Sequence, residues 1–281
     1  MVHFAENAVI KRKIGMFGEL RVPIDQQKII SEPFGGGRRK IRGGAMGEAG
    51  LSDDGQVLEL SERAYRIIYG EIIRCNIFPG ATVSEAQLCD AYGLSRSPVR
   101  RALTLLTHDG LLKPIPRSGY RIANLTLEGI RQIFDMRAAL EGVAVRAAMG
   151  RFPFDDLRVL NKAQVEASHA ENFRLAIELH EKLHGLIYKA SQNPVLERMA
   201  WHLLGQTTRV YFLVGKVGRH VVTLKDASED AHEQLFRIFE AGNEAEAANA
   251  ADRHIRQSQQ ALIDALLNSS HFNKMDIIID R

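Results

Sequence analysis

Sulfur is scarce in this chain. Its 281 residues carry two cysteines, Cys75 and Cys89, too few for the disulfide framework of a small secreted scaffold. Both fall in segments that read as helix, as small buried hydrophobes suited to a reducing cytosol. No apolar run approaches the ~20 residues that cross a bilayer. No signal-peptide pattern is visible, so a cytoplasmic location is expected. No internal repeat appears, which argues against a solenoid. Net charge is also small, +3 at pH 7, and singles out no partner. Its placement says more: +2 over residues 1–57, +3 over 58–124 and −2 over 125–281. The positive excess lies toward the first part, as a DNA-binding end requires.

What is present begins with an ordinary apolar fraction of 45%, which supplies a core, and a length with room for two domains. Residues 34–44 are glycine-rich and basic. They make residues 1–57 a flexible extension, or a basic arm that adds phosphate contacts. Residues 60–75 carry an apolar stripe at Ala64, Ile67, Ile68, Ile72 and Ile73, ended by Phe78-Pro79-Gly80. Ser84 and Gln87 have capping-box spacing, and the helix they open stops at Gly93.

Next comes Gly93-Leu94-Ser95-Arg96-Ser97-Pro98-Val99-Arg100-Arg101-Ala102-Leu103. Ser95 is the expected N-cap and Pro98 falls in the first turn. Val99, Ala102, Leu103 and Leu106 form one apolar face, leaving Arg96, Ser97, Arg100, Arg101 and Thr104 on the other. Guanidinium forks there can reach guanine edges or phosphates, with Arg100 the expected base reader. Two short strands, 111–115 and 120–122, flank a turn with Arg117 at its tip and Gly119 behind it. This is the layout of a winged helix-turn-helix over residues 58–124. The bland alternative is a three-helix subdomain with incidental surface arginines.

From Thr126 the chain reads as helical nearly throughout. Leu127, Ile130, Ile133, Phe134, Met136, Ala139, Leu140 and Val143 keep a helical rhythm. Helices follow over 155–170, 172–191, 194–214, 228–241 and 245–267, with breaks at Phe152-Pro153, Asn193-Pro194, Gly215–Gly218 and Gly242-Asn243. Short connections describe an antiparallel bundle over residues 125–270, with a tail at 271–281. The fold class is therefore mainly α.

Four histidines stand close to apolar faces of this bundle: His180 and His184, four apart on one helix, His232 on a later helix and His254 on the last. Neutral imidazoles are common ligands of transition metals. The alternative is that each is a hydrogen-bonded core residue.

Residues 59–123 resemble the GntR family of bacterial transcriptional regulators. The resemblance rests on Pro79-Gly80, Leu88, the run from Gly93 to Leu103, and Asp109-Gly110-Leu111. It implies a dimer bound to a palindromic operator, with Ser95, Arg96, Ser97, Arg100, Arg101, Arg117 and Gly119 at the DNA. Two positions depart from the pattern. Ala86 stands where an arginine is usual, removing one phosphate contact, and Arg101 stands where a glutamate is usual.

Residues 128–148 and the run from Leu183-His184 to Leu196 resemble the all-helical effector (FCD) domain of the FadR subfamily. That resemblance implies a metal held by an aspartate and three histidines, with His184, His232 and His254 as the histidines. His180 falls at the aspartate, leaving an all-imidazole site for a divalent transition metal, zinc first, with nickel or iron as alternatives. The resemblance also implies a small organic acid beside the metal. Arg137 matches a recurrent arginine that pairs with a carboxylate, or else it pairs with Glu141 four residues on. Arg209 is a second candidate for that cavity. The expected function is ligand-responsive regulation without enzymatic activity. A metal sensor and a metal-dependent hydrolase are the alternatives.

Overall fold

A computed structural model of the chain describes residues 53–217 and 229–269. The basic stretch 34–44, Gly218, Ser228 and the tail 271–281 lie outside the described residues. Among those described are nine helices and a three-stranded sheet, a mainly α fold as expected. They divide into two compact units, one of residues 53–70 and 82–121, the other of 71–81, 122–217 and 229–269.

The first unit is built on α1 (Asp53–Ile73), β1 (Thr82–Val83), α2 (Glu85–Tyr92), α3 (Arg96–His108), β2 (Leu112–Ile115) and β3 (Gly119–Ile122). Ser84 caps α2 through the expected reciprocal box with Gln87, and Gly93 ends the helix in the left-handed conformation at φ +62°. The apolar face of α3 is buried as its spacing predicts, at Val99, Ala102, Leu103 and Leu106. Tyr65 on α1 donates to Asp109 Oδ2 at 2.7 Å and so ties the end of α3 to the first helix.

Ser95 is the N-cap of α3 by backbone, but its hydroxyl makes no capping bond. A capping oxygen accepts from the second or third amide of the helix. Pro98 is third here and has no N–H to give.

The strand order is β1-β3-β2, with Thr82 paired to Arg121 and Val83 to Tyr120. Sequence periodicity misses β1, which is too short to show one. Gly119 is set by this pairing. Its φ is +105°, and a Cβ there would lie 2.4 Å from the Val83 carbonyl oxygen.

The second unit is a bundle of α4 (Leu127–Ala148), α5 (Phe154–His169), α6 (Phe173–Ala190), α7 (Pro194–Val217), α8 (Glu229–Glu240) and α9 (Glu244–Leu267). Helix starts carry side-chain caps. Thr126 accepts from Gly129 N, Asn172 from Leu175 N and Asn243 from Glu246 N. α7 continues through Gly215 to Val217, so the expected break at Gly215–Gly218 does not fall before Val217, and Gly218 lies outside the described residues. α4 packs against α6, α7 and α9, while α8 packs against α5 and α9.

One sequence expectation is refined here and another is corrected. The buried residues of α4 are Ile130, Phe134, Arg137, Ala138, Glu141, Gly142, Ala144, Val145 and Ala148. Met136 and Val143, which belong to the apolar rhythm of this segment, are 53% and 47% exposed. An apolar count could not find this face because two of its members are charged. Cys75 lies beyond the end of α1 in a positive-φ turn, not in a helix. It is fully buried, and its Sγ donates to Arg209 O at 3.6 Å.

Candidate functional site

Helix α3 presents Arg96, Ser97, Arg100 and Arg101 to solvent, and Ser95 is exposed at its start. Arg117 is exposed at the hairpin tip with φ +62°. Arg100 is not free. Its Nε and Nη2 donate to Glu85 Oε1 and Oε2, each at 3.0 Å, in a two-pronged pair across α2 and α3. The hydrogen bond from Arg100 is the main reason the Glu85 carboxyl lies below its ordinary pKa.

Inside the bundle, His180 and His184 of α6, His232 of α8 and His254 of α9 are all buried and converge. One nitrogen from each lies within 4.8 Å of the others. His180 Nε2 and His184 Nε2 are 3.2 Å apart. Two nitrogens bound at ~2.0–2.1 Å to a tetrahedral ion stand about 3.3 Å apart, so this edge has a coordination spacing.

The partners on the other side of the rings set which nitrogen faces inward. His184 Nδ1 lies 2.7 Å from Glu141 Oε1, and His232 Nδ1 lies 3.0 Å from Asn161 Oδ1. Both oxygens accept, so both Nδ1 atoms carry the proton and both Nε2 atoms offer a lone pair. The Nε2 atoms of His232 and His254 are buried without a hydrogen-bond partner. Burial is the main cause that lowers all four pKa values, with His232 at about 4 and the others well below the usual imidazole value. Each ring is therefore neutral at pH 7, the form that ligates metal.

Beside this cluster is a charged group in the core. Arg137 is 1% exposed, and its Nη1 donates to Thr207 Oγ1 at 3.0 Å. Its Nε stands 3.8 Å from Glu141 Oε2. Nε and Nη2 make no hydrogen bond. Tyr188 donates to Glu141 Oε2 at 2.5 Å. Burial raises the Glu141 carboxyl, against the opposing pull of Arg137 and the Tyr188 hydrogen bond.

Arg209 does not join this group. It is buried, but its Nη2 donates to Ala123 O at 2.6 Å, and Cys75 lies against it. Sequence reasoning weighed Glu141 only as a partner for Arg137 and missed Tyr188 and Asn161. The i, i+4 spacing of Glu141 from Arg137 was the one signal available.

The bacterial regulatory protein model of the gntR family matches residues 60–122, and the FCD domain model matches 132–257. The chain belongs to the GntR family. It is a transcriptional regulator and not an enzyme. It is 35% identical over 130 residues to the uncharacterised HTH-type transcriptional regulator YdhC of Bacillus subtilis, covering 44% of this GntR chain and 58% of that relative. It is 27% identical over 198 residues to the transcriptional repressor GlaR of Escherichia coli, covering 68% and 90%. Among solved structures, McbR/YncC of E. coli aligns with a TM-score of 0.65 at 19% identity, over 73% of this chain and 97% of that one. A GntR regulator from Rhodococcus sp. RHA1 aligns at 0.62 and 18% identity, over 74% and 99%. At such identity these structures support the fold alone. Among the described residues, no helix is long and apolar enough to cross a membrane.

Proposed function

We propose that this GntR protein is a cytoplasmic, homodimeric regulator of the FadR subfamily. Residues 58–124 bind a palindromic operator, and residues 125–270 sense a small organic acid at a histidine-held metal. One observation carries the reading. Four neutral, buried imidazoles converge with two inward lone pairs unpartnered, next to an arginine with two unbonded guanidinium nitrogens. An apolar core has no use for either feature.

The donor set fits a divalent transition metal, zinc first, because imidazole nitrogens suit zinc, nickel and iron better than magnesium or manganese. His180, His184, His232 and His254 would hold it. When bound, the ion supplies a positive centre to which a carboxylate coordinates. Arg137 orients that carboxylate through Nε and Nη2, and Thr207 fixes the guanidinium from behind. Arg96, Ser97, Arg101 and Arg117 supply contacts to bases and phosphates, with Ser95 free to add its hydroxyl. Arg100 reaches DNA as part of its pair with Glu85. Met136 and Val143, seven apart on α4 and both exposed, offer an apolar strip for the second copy.

Coupling between effector and operator is expected at about 1–3 kcal/mol. The test measures operator binding with and without candidate acids, on native protein and on His254→Ala, alongside elemental analysis. The reading expects about one metal per chain in native protein. It also expects loss of metal and of effector response in His254→Ala, with basal DNA binding retained. A metal-free His254→Ala that still responds to the acid would overturn it. Operator binding that follows added metal alone would make the ion itself the signal.

A further inference from the structure

Four neutral imidazoles bring no negative charge to a divalent cation. A double positive charge inside a helical bundle is costly unless an anion lies close by. His180, His184, His232 and His254 form the converging set, and no carboxylate belongs to it. Glu141 is the carboxylate that touches the set. It is 2% exposed, reaches it from α4, and contacts the ring of His184 at 2.7 Å.

We infer that Glu141 is a positioning residue for this centre. Its Oε1 holds His184 with Nδ1 protonated and Nε2 directed inward, and its charge balances the all-histidine set. The inference rests on the metal-site reading above and deepens it.

Three observations carry it. The Glu141–His184 contact is short and joins two helices, so ring rotation in His184 would break a buried charge-assisted bond. The other oxygen of Glu141 is fixed independently by the Tyr188 hydroxyl at 2.5 Å. The carboxylate therefore cannot swing away from His184 without losing Tyr188. The Asn161 contact to His232 does the same orienting work with a neutral acceptor, so orientation alone does not require a carboxylate at position 141. What Glu141 adds is charge.

The test titrates zinc into chelator-stripped protein by competition with a chromogenic chelator. It is run on native chain, Glu141→Gln, and Glu141→Gln combined with His180→Asp. The cobalt(II) visible spectrum and the melting temperature of the metal-free form are recorded alongside. Glu141→Gln keeps the shape and an acceptor oxygen but removes the charge. It should weaken zinc about 10- to 100-fold with an altered cobalt spectrum and a near-native metal-free melting temperature. Adding His180→Asp, which places a carboxylate among the ligands, should restore most of that loss. Zinc affinity in Glu141→Gln within about threefold of native overturns the inference while leaving the metal centre standing. Failure of native protein to take zinc overturns the metal centre itself. Should Glu141→Gln not fold, Glu141→Asp, which draws the carboxylate back from His184, should still weaken zinc several-fold. Native affinity in that variant overturns the inference equally.

Discussion

Two helix-interior glycines in the bundle should respond oppositely to the same substitution. Gly142 of α4 and Gly185 of α6 are both buried, and helix propensity favours alanine at each by about 1 kcal/mol. Their surroundings decide the sign. A Cβ at Gly142 would meet Ala248 O at 3.5 Å and Ala248 Cβ at 3.7 Å, ordinary contact. A Cβ at Gly185 would lie 2.4 Å from both Cη2 and Cζ2 of Trp201. Carbon atoms rest at about 3.5–4.0 Å, so the indole would have to retreat by about 1 Å or more. It stands edge-on to Tyr188, with centroids 6.4 Å apart, and Tyr188 in turn holds Glu141. Overpacking costs about 1–3 kcal/mol, and contact with two ring carbons argues for the upper end. After the propensity gain, Gly185→Ala should destabilise by about 2 kcal/mol, lowering Tm by about 4–8 °C. Gly142→Ala should be neutral or stabilise by up to about 1 kcal/mol. Circular dichroism during thermal and urea unfolding measures both. Trp201 is the only tryptophan, so its emission reports directly on the displaced ring. It should shift in Gly185→Ala alone. Equal Tm changes of one sign, or a native Tm and emission in Gly185→Ala, would refute the packing argument.

The two serine caps give a second contrast. Ser84→Ala breaks a formed capping box and should cost about 1 kcal/mol in unfolding experiments. Ser95→Ala breaks no bond and should stay within about 0.5 kcal/mol, so any loss of operator affinity there assigns its hydroxyl to DNA. A third prediction concerns pH. Burial pushes the Cys75 thiol from an ordinary value of 9.0 to about 11. The folded state therefore keeps a proton that the unfolded chain releases, and stability is level below about pH 9 and falls between about pH 9 and 11. The total loss is bounded near 2.7 kcal/mol for two pH units. Cys75→Ala should flatten that part of the curve of unfolding free energy against pH, and an unchanged slope would contradict the buried-thiol account.

The fold was legible because its signals are local. The capping box at Ser84, the stop at Gly93 and the apolar face of α3 each depend on residues within about two helical turns. Helices α5 to α9 follow from periodicity, and α5, α6, α7 and α9 also from Asn or Pro at their starts. The failures share a different cause. The Ser95 cap loses one of its two usual donors to the proline three residues on, which has no N–H. The buried face of α4 was not separable from its apolar rhythm, because that face includes Arg137 and Glu141, and charge hides a core position from any hydrophobic count. At the site, the helix spacing of His180 and His184 gave their shared face. Their meeting with His232 and His254 is tertiary: the apolar neighbours of each histidine allowed it, and the family resemblance strengthened the expectation. Tyr188 and Asn161 carry no signal of that kind, since an inward Tyr or Asn looks like any satisfied core residue.

The distribution of unsatisfied polar atoms bears on why such a core is kept. His232 Nε2, His254 Nε2 and two nitrogens of Arg137 are buried without hydrogen bonds in one bundle. Each such atom costs about 1–3 kcal/mol. Together they weigh heavily against the ~5–15 kcal/mol that a folded domain holds in reserve. Arg209 shows that a buried arginine in this fold can serve structure, since its head group binds the Ala123 carbonyl. Arg209 Nε is also buried without a partner, but Arg137 leaves two such nitrogens, Nε and Nη2, and they lie beside the histidine cluster. Apolar residues at these positions would make a more stable bundle. On the proposed reading, the cost is recovered when a cation meets the imidazoles and an anion meets the guanidinium. Stability of the bundle is then linked to occupancy. A ligand shifts a conformational equilibrium only by binding its states unequally. A core that is incomplete without its ligand has that inequality built in, which is what the proposed sensing through residues 125–270 requires of the fold.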